Sequence, residues 1–139
     1  MSADNVRSVR MAWTGEGLAF RGGPEGGVEI GVDSAGAEGQ SPMQLLLMSL
    51  CGCMAIDVLM ILQKSRVPVE GLEVEAVGVR AETVPKRYRS LELVYHVRGP
   101  SEDDQAKLER AIDLSRDRYC SVLHTLDPEI DLEIRVERG

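Results

Sequence analysis

The chain has 139 residues, enough for one self-sufficient core, and its single Trp, single Phe and three Tyr mean that this core is built from aliphatic side chains and Met. The net charge of −7, with Lys and Arg scattered among acids, excludes a concentrated phosphate-binding surface, and with it nucleic acid or anionic lipid as a partner. Three Cys, and an opening stretch MSADNVRSVR without an apolar run, predict a cytoplasmic protein whose sulfurs are thiols rather than a disulfide framework.

The first forty residues read as short strands joined by glycine turns. Val6–Trp13 and Leu18–Phe20 flank Gly15 and Gly17, and Val28, Ile30 and Val32 alternate with polar or small residues. Ser41 is the expected N-cap of a long helix, with Pro42 at the first helical position and Gln44 at capping-box distance. The helix is predicted to run to about Lys64 and to be stopped by Val67–Pro68, because a residue before Pro avoids helical dihedrals.

Residues 43–62 of this helix are apolar on every side and long enough to span a bilayer. Asp57 deep inside the segment and Gly52 interrupting it argue against a membrane. A helix apolar all round is then expected to be central and buried.

Leu72–Glu82 reads as a strand, followed by a turn at Pro85. Leu91, Leu93, Tyr95 and Val97 alternate with Glu92, Val94, His96 and Arg98, giving a strand with one predominantly buried face. Gly99–Pro100 stops it. Ser101 with Asp104 suggests a second capping box, and Leu108, Ala111, Ile112 and Ser115 form the narrow stripe of a helix ending near Tyr119. Ile130, Leu132, Ile134 and Val136 mark a closing strand. Without repeats or a linker, the expectation is a single domain over residues 1–139, of the α+β class, with an antiparallel sheet around a long buried helix.

The chemistry rests on Cys53, inside the long helix, and Cys120, just after the second helix. A peroxide-reducing thiol needs activation, access for the peroxide and a second thiol to resolve the sulfenic acid. Cys53 in an apolar pocket and Cys120 as resolver would meet these needs, although a buried Cys is also a common small core residue. Cys51 and Cys53 form a C-G-C, but neighbours two apart on a helix point in different directions, so no metal site is expected and Cys51 reads as core. His124, four residues after Cys120, is either a base for that thiol or an exposed loop histidine; His96 lies on a strand face. Asp57, one turn after Cys53, reads as a cap, an ion-pair partner or an interface residue.

Two segments resemble the OsmC/Ohr family of hydroperoxide reductases. One is Ser41-Pro42-Met43-Gln44-Leu45-Leu46-Leu47 with Leu50-Cys51-Gly52-Cys53 and Asp57; the other is Arg118-Tyr119-Cys120-Ser121-Val122 with Thr125-Leu126 and the alternating strand after it. The resemblance covers nearly the whole chain. It implies an intertwined homodimer with sites at the subunit interface, and an activity in which Cys53 reduces a hydroperoxide and Cys120 closes a disulfide on it. A dithiol, lipoyl-type in related proteins, would reopen the disulfide, and no cofactor would be held. The best-studied members carry a Glu early in this helix that orients an activating Arg from the N-terminal hairpin. Here that Glu position falls on Met43, beside Gln44; the hairpin Arg does not align cleanly, and Arg21 is the candidate for it, with Arg10 in reserve. The alternative is a non-catalytic protein of the same fold that binds an apolar or lipoyl-like ligand in the dimer pocket.

Overall fold

The computed structural model describes residues 3–139, so Met1 and Ser2 of the opening stretch lie outside the described residues. The chain gathers into two compact units, one ending at Leu46 and the other spanning Leu47–Gly139.

The N-terminal unit is a three-stranded antiparallel sheet in the order β1-β2-β3: β1 (Arg10–Trp13), β2 (Ala19–Gly23) and β3 (Ile30–Asp33). The turn between β1 and β2 needs positive φ at Gly15 (93°) and Gly17 (51°), which glycine adopts without steric cost. After β3 the chain doubles back closely. A Cβ on Gly31 would stand 2.1 Å from the Glu38 carbonyl oxygen, so only hydrogen fits there. Asp33, 4% exposed, organises this loop by accepting the Ala35 N–H (2.9 Å) and the Glu38 N–H (3.0 Å).

The long helix is α1 (Pro42–Lys64). Its start is the expected reciprocal cap: Ser41 Oγ accepts the Gln44 N–H (3.2 Å) and Gln44 Oε1 accepts the Ser41 N–H (3.1 Å). At its end the Val67 N–H returns to the Leu62 carbonyl (2.9 Å) and the Arg66 N–H to Gln63 (3.1 Å). This is a Schellman closure with Arg66, at φ 58°, in the position glycine usually takes.

The C-terminal unit holds a second three-stranded sheet, β4 (Gly71–Arg80), β5 (Tyr88–Arg98) and β6 (Asp131–Arg138), in the order β4-β5-β6. β4 pairs with β5 antiparallel, as expected, but β6 joins β5 in parallel, which corrects the all-antiparallel expectation. A parallel neighbour requires a long crossover, supplied here by α2 (Gln105–Leu114), a wide π turn (Ser115–Tyr119) and α3 (Ser121–Thr125). Gly99 (φ 115°) makes the exit from β5; a Cβ there would lie 2.5 Å from the Glu70 nitrogen.

The core of this unit draws on three faces. α1 contributes Leu50, Met54, Val58 and Leu62, β5 contributes Leu91, Leu93, Tyr95 and Val97, and α2 contributes Leu108, Ala111 and Ile112, all buried. Each fully buried aliphatic side chain contributes about 1.5–3 kcal/mol through removal from water. Val94, on the other face of β5, is buried as well, in register with Glu75 and Arg135 of the flanking strands.

The expectation that α1 is buried all round is not met within one chain. The α1 face carrying Met48, Ile56 and Met60 is 57%, 60% and 51% exposed. Only the Leu50–Leu62 stripe, repeating every four residues, is covered in the protomer.

Candidate functional site

Cys53 and Asp57 are four residues apart on α1, so they project from one face of the helix. Cys120 reaches the same place from the other end of the unit. α2 runs on into the π turn, where the Cys120 N–H closes onto the Ser115 carbonyl at 2.8 Å, and the chain then turns extended at Cys120 before α3. Single π turns often occur where a helix must re-aim a functional side chain. Here the turn delivers Ser115 and Cys120 together: Ser115 Oγ donates to Asp57 Oδ2 at 2.9 Å, and Cys120 meets Cys53.

The two sulfurs and an Asp57 carboxylate oxygen all lie within 4.8 Å of one another. Cys53 and Asp57 are half-buried, whereas Cys120 is fully buried. All three cysteines are free thiols. Cys120 also caps α3, its Sγ accepting the Leu123 N–H at 3.3 Å.

Burial dominates the titration of Cys120 and pushes the thiol up to about 11, reinforced by its hydrogen bond with Cys53 and by the charges of Cys53 and Asp57; the Leu123 N–H works in the opposite direction. Burial also raises Cys51. Tyr95, fully buried on β5, has a hydroxyl without a hydrogen-bond partner among the described residues. Burial raises this phenol, with Cys120, Cys51 and Asp57 adding to the effect.

The structure thus brings Cys53 and Cys120 together and adds two residues that sequence reasoning did not assign, Asp57 and Ser115. Both left a trace in the sequence. Asp57 stands one turn from Cys53, and Ser115 is a polar residue placed at the end of the apolar stripe of α2. Arg21 belongs to the N-terminal unit, exposed on β2 with Ala12 and Gly31 as its cross-strand neighbours, and Arg10 opposes Gly23 at the end of β1. Gln44 is committed to the Ser41 cap. Neither histidine joins the thiols: His124 pairs its Nε2 with the Arg116 carbonyl (3.0 Å), and His96 lies between Glu75 (3.9 Å) and Glu137 (3.3 Å).

The fold and the site together define a class: an α+β protein presenting a close pair of free thiols beside a carboxylate. Residues 35–135 match the family model described as OsmC-like protein, and the chain belongs to that family. It is 39% identical over 125 residues to Protein YhfA of Escherichia coli K12, covering 89% of this chain and 92% of that protein. A solved structure of a hypothetical protein from Aquifex aeolicus VF5 superposes with a TM-score of 0.84 at 33% identity, covering 97% of each chain. The organic hydroperoxide resistance protein OhrB of Bacillus subtilis shares the fold, with a TM-score of 0.65 at 15% identity over 97% of this chain and 100% of that one.

Proposed function

We propose that this protein is a thiol peroxidase that reduces organic hydroperoxides, with Cys53 as the attacking thiol and Cys120 as the resolving thiol. The observation that carries this reading is the approach of the two sulfurs to within 4.8 Å beside a carboxylate. A disulfide has an S–S bond of about 2.05 Å, so a modest side-chain rotation closes the pair.

In the first step the Cys53 thiolate attacks the distal oxygen of the hydroperoxide. The O–O bond breaks, the alkoxide takes a proton and leaves as the alcohol, and Cys53 becomes a sulfenic acid. In the second step Cys120 attacks the Cys53 sulfur. A thiol raised by burial needs a local base, and the Asp57 carboxylate, held by Ser115, is within reach to take its proton. The sulfenic oxygen departs with that proton as water, and a Cys53–Cys120 disulfide remains. An external dithiol, lipoyl-type by family resemblance, supplies two electrons and two protons to restore both thiols. Arg21, with Arg10 in reserve, is the proposed contact for the peroxide.

The exposed apolar stripe of α1, Met48, Ile56 and Met60, supports a homodimer, because apolar side chains repeating along one helix face gain from cover by a second copy. We propose that the chain functions as a single-domain protomer of such a dimer in the cytoplasm.

The test is titration of the reduced protein with cumene hydroperoxide and hydrogen peroxide side by side, followed by mass mapping of the products. A Cys53–Cys120 disulfide formed in step with peroxide loss, and abolished in Cys53→Ser, is expected. Thiols that stay reduced while peroxide persists would leave the non-catalytic ligand-binding alternative.

A further inference from the structure

We infer that the reduced thiol pair and Asp57 form a site for a borderline-soft divalent cation of the Zn2+ class, one that the disulfide would abolish. The site uses the same two sulfurs as the proposed peroxidase but requires no peroxide chemistry.

The donor set carries the inference. Two thiols and one carboxylate, drawn from α1 and from the junction of the π turn and α3, present their ligand atoms within 4.8 Å of one another. Zinc bonds sulfur at about 2.3 Å and carboxylate oxygen at about 2.0–2.2 Å, so tetrahedral ligands stand roughly 3.5–3.8 Å apart. A contraction of about 1 Å therefore brings the three onto one ion. Two sulfurs favour a thiophilic metal, while the carboxylate disfavours a purely soft one such as Cu(I). Three protein ligands leave the fourth position for water or a small ligand, as in open zinc sites. The supporting shell is in place as well. Ser115 Oγ–H orients the carboxylate at 2.9 Å.

Zn2+ displaces the Cys120 proton, and any proton held by Cys53, and forms Zn–S bonds in place of S–H bonds. No electrons move. Two-electron oxidation of the pair removes both thiolates, so metal binding and the disulfide exclude each other. Under metal the thiols are shielded from peroxide and from alkylation; once oxidised, they release the ion.

The experiment uses the full-length reduced protein without peroxide. Zn2+ is titrated in competition with a chromophoric chelator, and Co2+ is added separately to read coordination. One Zn2+ per chain is expected, with affinity rising with pH, and Co2+ should give a sulfur-to-metal charge-transfer band. Cys53→Ser and Cys120→Ser should each weaken binding by roughly a hundredfold or more, and Asp57→Asn by roughly tenfold or more, since losing a ligand costs at least as much as the ~10–100-fold typical of losing an outer-shell partner. Cys51→Ser and His96→Ala should leave it unchanged. Prior alkylation of the thiols should remove the Co2+ band, which decides the matter even if a cysteine variant fails to fold. Absence of that band in the unmodified protein, or zinc binding that survives both cysteine substitutions, would overturn the assignment. Because peroxide is absent throughout, a failed peroxidase assay and a failed metal titration are separate results.

Discussion

Ser115 Oγ donates a 2.9 Å hydrogen bond to Asp57 Oδ2, joining the π turn after α2 to the middle of α1 across 58 positions of sequence. It ties the two elements that carry the thiols. A hydrogen bond to a charged group contributes about 1.5–3 kcal/mol when its loss strands the acceptor. Ser115→Ala is accordingly expected to cost about 1.5–2 kcal/mol, read as a lower urea midpoint with unchanged slope. It should also slow disulfide closure after peroxide treatment, through a less fixed Asp57.

The raised Cys120 thiol gives stability a pH dependence on the alkaline side. An unfolded thiol titrates near 8.5, whereas folded Cys120 holds its proton to about 11. Between these values the unfolded chain has lost a proton that the folded chain keeps, so stability is fully present below about pH 8.5 and is lost as pH rises toward 11. Urea unfolding of the reduced protein from pH 8 upward should show this fall, and Cys120→Ala should flatten it. A wild-type and variant pair with parallel profiles would contradict the burial of this thiol.

Asp33 predicts the opposite leg. The Ala35 and Glu38 N–H groups hold its carboxyl below the ordinary carboxylate range. Its contribution is present above the unfolded value of about 3.9 and is lost as pH falls through the lower folded value. Asp33→Asn should loosen the loop after β3, with amide exchange rising at Ala35 and Glu38, and should weaken the acid dependence of the N-terminal unit.

Arg66 holds the left-handed position that ends α1. That conformation costs a non-glycine residue about 1–2 kcal/mol, and glycine brings an opposing entropy cost of about 0.5–1 kcal/mol. Arg66→Gly is expected to stabilise the protein by roughly 0.5 kcal/mol, seen as a small rise in thermal midpoint. A decrease would mean that the Arg66 side chain contributes more than its backbone strain costs.

The α1 stripe makes the proposed homodimer testable. Ile56, 60% exposed in the protomer, should be covered in the assembly. Ile56→Glu would place a charge in that interface, where an unpaired buried charge is costly. Sedimentation should then report a monomer from a chain whose circular dichroism is unchanged, whereas a monomeric wild type would remove the dimer from the proposal.

Local physics made much of this protein legible in the residues themselves. The α1 start was readable because Ser41, Pro42 and Gln44 satisfy orphan backbone groups within three residues, and the structure repeats that cap atom for atom. The alternation of Leu91, Leu93, Tyr95 and Val97 likewise announced a half-buried strand. The parallel pairing of β6 was not readable, because alternation sets which face is buried and is silent on strand direction. Nor was α3, whose five residues are too few for periodicity to register.

The site divides in the same way. Residue chemistry and family resemblance singled out Cys53 and Cys120, and helical spacing alone put Asp57 on the face of Cys53. Their convergence depended on a crossover that folds α2 back, and on a π turn that re-aims Cys120 by one extra residue; neither leaves a local periodic signal. Short-range propensities select elements one at a time, but the meeting of distant side chains is fixed only when those elements bury their apolar faces together.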